Sequence, residues 1–262
     1  MTEHAARWAA LLLVCALGLA GCSENERRGG APTPAAASPQ PRCFAAMPED
    51  ARTRELTFES AAGGVAAIAF PVDGATTAMV LLHQTGGLGA CGWGRFATAA
   101  QQAGVSSLAV DQCGYGLSTC SDDADQAGVV EAAVERARVD LGADRVVLVG
   151  ASMGGHRAVA AVAAGVEVDA WADVSGPDAW DDRRLTDLRW PRRYDDRALV
   201  VFGADEPPHE LAAARRLAAR TGARLVVRPE GHGYELLTTY TGRLLPAGRE
   251  LLRFVDPSAG RS

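Results

Sequence analysis

Between Glu55 and Val255 the sequence alternates short runs of aliphatic and β-branched residues with alanine-rich stretches of helical spacing. The runs are ELTFES (55–60), GVAAIAFPV (64–72), TTAMVLLHQ (76–84), VSSLAVDQ (105–112), RVVLVGAS (145–152), VDAWADVSG (168–176), RALVVFGA (197–204) and ARLVVRPE (223–230). Helical spacing falls at 93–104, 126–142, 153–165, 209–222 and 245–255. A helix that links two strands returns the chain to the same end of a sheet, so strands joined in this way lie parallel. The expectation is an α/β fold, with a mostly parallel eight-stranded sheet flanked by helices. A length of 262 residues suffices for one such domain with one large core, and no internal repeat divides it.

The first residues fall outside this pattern. After MTEHAAR, the run WAALLLVCALGLAGC is shorter than the roughly 20 residues of a membrane-spanning helix and fits the core of a signal peptide. Its end, Leu19-Ala20-Gly21-Cys22, resembles the bacterial lipobox, which implies cleavage after Gly21 and diacylation of Cys22. An ordinary secretory signal with an incidental cysteine is the alternative. Residues 23–42 are rich in Pro, Ala, Ser and charge without apolar periodicity, and read as a tether. The expected organisation is a lipoprotein signal peptide over 1–21, a lipid-anchored tether over 22–42 and a globular domain over 43–262. That implies an extracytoplasmic protein held to the cell membrane through its N-terminal lipid.

A net charge of −6, without basic clusters, excludes a nucleic-acid partner, and a monomer is expected. Every basic residue is arginine, and no functional conclusion follows from that. Cys15 leaves with the signal and Cys22 goes to lipid, so Cys43, Cys91, Cys113 and Cys120 remain in an oxidising compartment. They allow three connectivities; Cys113 with Cys120 in one loop, and Cys43 with Cys91, is the expected pairing. Zinc-like cysteine and histidine spacing is lacking, so no metal and no cofactor are expected.

The stretch RVVLVGASMGGHRAV places Ser152 between Gly150 and Gly154, where an aliphatic run turns abruptly into a helical pattern. In so tight a turn, side chains two residues either side of the serine would strike the neighbouring strand and helix. The backbone N–H of Met153, opening the helix, points at an oxyanion formed on a carbonyl that Ser152 attacks. A serine hydroxyl needs a base. His232, flanked by glycines just after the eighth run, is the candidate. His156 runs away down the helix of the serine, His209 opens another helix, and His83 ends the third run and shapes a loop. An acid to orient His232 is expected after the seventh run, where Asp205 and Glu206 stand side by side.

The order nucleophile, acid, histidine at these strand ends resembles the α/β-hydrolase superfamily over about Leu56 to Val255. Many members carry a strand ending G-x-x-D-P. Aligned without a gap from Gly203, that acid is Glu206, followed by Pro207; with one residue deleted it is Asp205, favoured on residue type. The carboxylate not used is expected to be a surface group. MVLLHQTGGLGACGW resembles the superfamily's oxyanion loop, usually His-Gly followed by a variable residue, with Gln84 in place of the glycine. It is closer to a bacterial subgroup whose loop reads His-Gln and then Cys-Gly-Trp, as Cys91-Gly92-Trp93 do here. The resemblance implies the Thr85 amide as second oxyanion donor. VDQCGYGLS matches the superfamily's D-x-x-G-x-G-x-S turn, in which Asp111 and Tyr115 shape the rim without doing chemistry.

Only Pro177 to Asp196 separate the sixth and seventh runs, room for one connecting helix and no large cap. Trp180, Trp190 and Tyr194 in this segment either line an acyl pocket or cover the sheet. The implied chemistry is acyl transfer to Ser152 and hydrolysis, on a small-molecule or lipid ester, a thioester or a lactone. An envelope acyltransferase using an alcohol in place of water, or a non-catalytic lipid-anchored binding protein of the same fold, are the alternatives.

Overall fold

The structure, a computed structural model, describes residues 40–86, 88–190 and 194–259. The signal peptide, Cys22 and the tether up to residue 39 lie outside the described residues. The sheet contains β1 (Arg54–Ser60), β2 (Gly63–Phe70), β3 (Thr77–Leu82), β4 (Ser106–Val110), β5 (Arg145–Ala151), β6 (Ala170–Val174), β7 (Ala198–Gly203) and β8 (Arg224–Arg228). Their spatial order is β1-β2-β4-β3-β5-β6-β7-β8. The β1–β2 and β2–β4 pairings are antiparallel, and β4 through β8 run parallel. Strands β3, β4, β6 and β7 are buried at every residue, which is why they read as unbroken aliphatic runs in place of an alternation.

Five helices cover the sheet: α1 (Gly94–Gln102), α2 (Gln126–Leu141), α3 (Met153–Ala163), α4 (Pro208–Thr221) and α5 (Pro246–Val255). On one face Val80, Leu82, Val146, Leu148, Val200 and Phe202 pack against α2, α3 and α4. On the other, the alternate residues Met79, Leu81, Val147, Val149, Leu199 and Val201 pack against α1 and α5. Helix α2 starts on Asp125, whose side chain accepts the Ala127 N–H, and ends on Gly142 in the left-handed conformation.

The segment between β6 and β7 departs from the expectation of a connecting helix. Its described residues form a hairpin, Ala179–Trp180 against Arg183–Arg184, followed by a single turn at Leu185–Asp187. Asp181 and Asp182 both take positive φ, as a two-residue hairpin turn requires, and aspartate tolerates that region better than most residues. Asp181 is fixed there by the buried Arg157, which also pairs with Asp122. Trp190 stacks on Trp171 of β6, with Tyr194 edge-on to both, so these aromatics cover the sheet.

Cys43 bonds Cys91 and Cys113 bonds Cys120, the pairing expected from the sequence. Arg42, in the segment that reads as tether, ion-pairs with Glu55 and with the buried Asp111. The two disulfides close loops of very different length, 48 against 7 residues of separation. Loop-closure entropy then predicts that removing Cys43–Cys91 costs about 4 kcal/mol and removing Cys113–Cys120 about 2.5 kcal/mol. Urea unfolding of the two double Cys→Ala variants measures the difference; equal losses would refute it.

Candidate active site

Ser152 joins β5 to α3 with φ 50° and ψ −118°, a backbone conformation that residues with a side chain seldom adopt. Two hydrogen bonds hold it there: the Ser152 N–H donates to the Val174 carbonyl at 2.8 Å, and the Ser152 carbonyl accepts the His156 N–H at 3.0 Å. The glycines either side are forced by close approach. A Cβ on Gly150 would stand 2.0 Å from the Gly154 carbonyl oxygen, and one on Gly154 would stand 2.2 Å from that of Leu82. The elbow therefore touches the end of β3, from which the glycine-rich loop departs. Met153 is fully buried at the start of α3, where first-turn amides have no acceptor within the helix.

His232 follows β8, and its Nδ1 lies 3.1 Å from Glu206 Oε2. An Nδ1–H donated to that carboxylate leaves Nε2 as the free basic nitrogen. Glu206 is itself held: its Oε1 accepts the Ser175 hydroxyl at 2.6 Å and the Gly203 N–H at 3.1 Å. The hydrogen bond to Glu206 raises the pKa of His232 above the ordinary histidine value, outweighing the opposing effect of burial.

Asp205, favoured on residue type, is not the carboxylate at the imidazole. It accepts the Gly231 N–H at 3.1 Å. The reason lies in the backbone, because Gly203 and Gly231 approach so closely that a Cβ on Gly203 would stand 2.3 Å from the Gly231 carbonyl oxygen. Asp205 is taken up by that junction, and the longer side chain one residue on reaches the imidazole. Asp205 is exposed, as expected of the carboxylate not used, and from the surface it fixes the residue before His232.

Further pins act on the histidine loop. The Gly233 N–H donates to Ser175 Oγ at 3.1 Å, and the Tyr234 N–H to Gln84 Oε1 at 3.3 Å. Residues 231, 233 and 234 are thus each anchored by a side chain from a different strand end. Ser175, with φ 61°, touches both the acid and the histidine loop, and sequence reasoning missed it. Its signal was faint: a serine just beyond β6, in the same relative place as the residues beyond β3 and β7. Tyr234 was missed too, although it stands two residues after the candidate base.

The loop after β3 is built on His83. This fully buried ring donates from Nδ1 to the Gln84 carbonyl at 2.7 Å and accepts the Gln112 N–H at Nε2 at 3.1 Å. Burial lowers its pKa, so it stays neutral and structural. Asp111 accepts the Ala90 N–H at 2.7 Å and the Leu117 N–H at 3.1 Å, tying this loop to the one after β4. Thr85 sits exposed directly after Gln84. His156 donates from its ring to the Pro177 carbonyl and His209 is exposed on α4, so neither competes with His232.

Ser152, Ser175, Asp205, Glu206, Glu210, His232 and Glu235 are among the residues lining an open cleft of about 370 Å³. Beneath it, burial raises the pKa of Asp173 to about 7, while its Oδ1 accepts the Gly176 N–H at 2.7 Å. Among the described residues, no three histidine, cysteine, aspartate or glutamate side chains are grouped to hold a metal ion.

A sequence profile of the alpha/beta hydrolase family matches residues 79–255. No curated protein matches the chain significantly in sequence. Among solved structures, the esterase Pf2001 of Pyrococcus furiosus superposes with a TM-score of 0.62 at 12% identity, covering 86% of this chain and 95% of its own. The carboxylesterase CesB (YbfK) of Bacillus subtilis gives 0.58 at 16% identity, covering 83% and 95%. XC6422 of Xanthomonas campestris, described as an a/b serine hydrolase without lid, gives 0.56 at 17% identity, covering 82% and 98%. At these identities the likeness establishes the fold.

Proposed function

The chain belongs to the alpha/beta hydrolase family, and from that premise we propose that it is a serine hydrolase cleaving an ester, thioester or lactone through an acyl-enzyme. The observation that carries this reading is the imidazole of His232, oriented by Glu206 and lining one cleft with Ser152 at its elbow. Ser152 Oγ attacks the acyl carbonyl carbon while its proton passes to His232 Nε2. The N–H groups of Met153 and Thr85 hold the oxyanion. As the tetrahedral intermediate collapses, the bond to the leaving oxygen or sulfur breaks and that atom takes the proton from Nε2. Water then attacks the acyl-enzyme, gives its proton to Nε2, and the acid departs as that proton returns to Ser152. Glu206 keeps the imidazole in the required tautomer and stabilises its charged form.

Four carboxylates, Asp205, Glu206, Glu210 and Glu235, are among the described residues lining the cleft, with no arginine or lysine among them, which favours an uncharged over an anionic substrate. The test is a panel of p-nitrophenyl esters of increasing chain length, together with a fluorophosphonate label. Turnover and labelling are expected in the wild type and absent in Ser152→Ala; hydrolysis that survives the substitution removes Ser152 from the mechanism. The rate also depends on pH in a stated direction. His232 must be neutral to accept a proton and its pKa is raised, so kcat/KM climbs on a limb centred above the unperturbed value of 6.5. A limb centred below 6.5 in a pH–rate profile contradicts this assignment.

We further propose that the protein is a lipoprotein attached to the membrane at Cys22. The lipobox-like sequence supports this, as do two disulfides, which persist in oxidising compartments outside the cytoplasm. Palmitate labelling is expected in the wild type and lost in Cys22→Ser; label retained in the variant refutes it.

A further inference from the structure

We infer that Gln84 and Tyr234 form a reciprocal brace that positions the oxyanion donor and the base relative to each other; this rests on the reading of Ser152 as nucleophile. The Gln84 N–H donates to Tyr234 Oη at 3.0 Å, and the Tyr234 N–H donates to Gln84 Oε1 at 3.3 Å. One residue belongs to the loop that carries Thr85 and the other to the loop that carries His232. Each uses its side chain to bind the other's backbone.

Peptide planarity turns these contacts into direction. The Gln84 carbonyl and the Thr85 N–H share one rigid unit and point opposite ways. His83 Nδ1 holds that carbonyl at 2.7 Å, so the Thr85 N–H is aimed away from the buried ring. The preceding peptide unit is held through the Gln84 N–H by Tyr234. Both planes that determine the orientation of the Thr85 amide are thus pinned by side chains. The amide of Gln84 is already engaged, so it is unavailable to an oxyanion.

Tyr234 in turn stands on a fixed wall. Its ring meets Trp93 edge-on at 4.9 Å, and a Cβ on Gly92 would stand 2.6 Å from it. Trp93 is fully buried, and Cys91, two residues earlier, is bonded to Cys43. Burial raises the Tyr234 pKa, so the hydroxyl remains protonated and its oxygen serves as a neutral acceptor. On the other side, the Gln84 amide oxygen fills the space that a side chain on Gly233 would need, with 2.1 Å between them. Gln84 in place of glycine and the Cys-Gly-Trp sequence are therefore parts of one device, whose third part is Tyr234.

The test compares Tyr234→Phe, which keeps the ring but loses the acceptor, with Gln84→Met, which keeps the length but loses the amide oxygen. Each is expected to lower kcat about 10- to 100-fold with KM within about threefold. Affinity for a trifluoromethyl ketone inhibitor, which forms an oxyanion on Ser152, falls in parallel with kcat/KM. The double variant falls by less than the product of the single effects, because the two changes break one unit. Unfolding midpoints stay close to wild type, and if Tyr234→Phe fails to fold, Gln84→Met alone decides. The brace is overturned if the folded variants keep kcat within about twofold of wild type while Ser152→Ala is inactive, or if their effects multiply. Activity that survives in Ser152→Ala overturns the underlying mechanism instead.

Discussion

Glu206→Gln is expected to lower kcat by about a thousandfold or more, while Asp205→Asn costs less than about tenfold. The two carboxylates are neighbours in sequence, yet one binds the imidazole and the other a backbone amide. A neutral glutamine at 206 no longer stabilises the imidazolium that forms as Ser152 loses its proton. Nor does it require the tautomer with hydrogen on Nδ1. Because the hydrogen bond to Glu206 is the main reason for the raised His232 pKa, the limb of the pH–rate profile also moves down in Glu206→Gln. It stays in place in Asp205→Asn. Equal losses in the two variants, or an unmoved limb in Glu206→Gln, would show that the acid lies elsewhere.

Gly154→Ala is expected to destabilise the fold by about 3 kcal/mol or more, the upper range for forced overpacking. Its Cβ would stand 2.2 Å from Leu82 O and 2.7 Å from His83 O, all backbone, so no side chain can yield. The start of α3 has to lift from the end of β3. Ser152→Gly acts in the opposite sense: it relieves a non-glycine residue held at φ 50°, gaining about 1 kcal/mol while ending catalysis. Urea midpoints of both variants check the pair of signs. A stable Gly154→Ala protein, or a Ser152→Gly protein less stable than wild type, would mean that the elbow relaxes by some other route.

The parts of the fold that were legible in the sequence share a physical cause. Strands β3, β4, β6 and β7 are covered on both faces, so nearly every residue is apolar and the runs stand out. The elbow is legible because its close contacts are local: the same few residues that form the turn also exclude side chains from it. The choice between Asp205 and Glu206 was not legible, because it depends on how closely Gly203 meets Gly231 across 28 positions of sequence. Ser175 and Tyr234 escaped notice for the same reason, since their partners come from other strand ends. Segment length alone leaves room for a connecting helix between Pro177 and Asp196, where the described residues form the hairpin at 179–184. The pairing of Asp181 with Arg157, which fixes its turn, is a tertiary contact.

The bond between Cys43 and Cys91 also determines how the domain carries mechanical load. A pull on the chain N-terminal to Cys43 is delivered through a covalent link to Cys91, beside Trp93 and the first turn of α1. The edge strand β1, paired among the described residues with β2 alone, is thereby spared from being unzipped from it. With the bond reduced, the same force reaches Arg54 directly and peels hydrogen bonds one at a time.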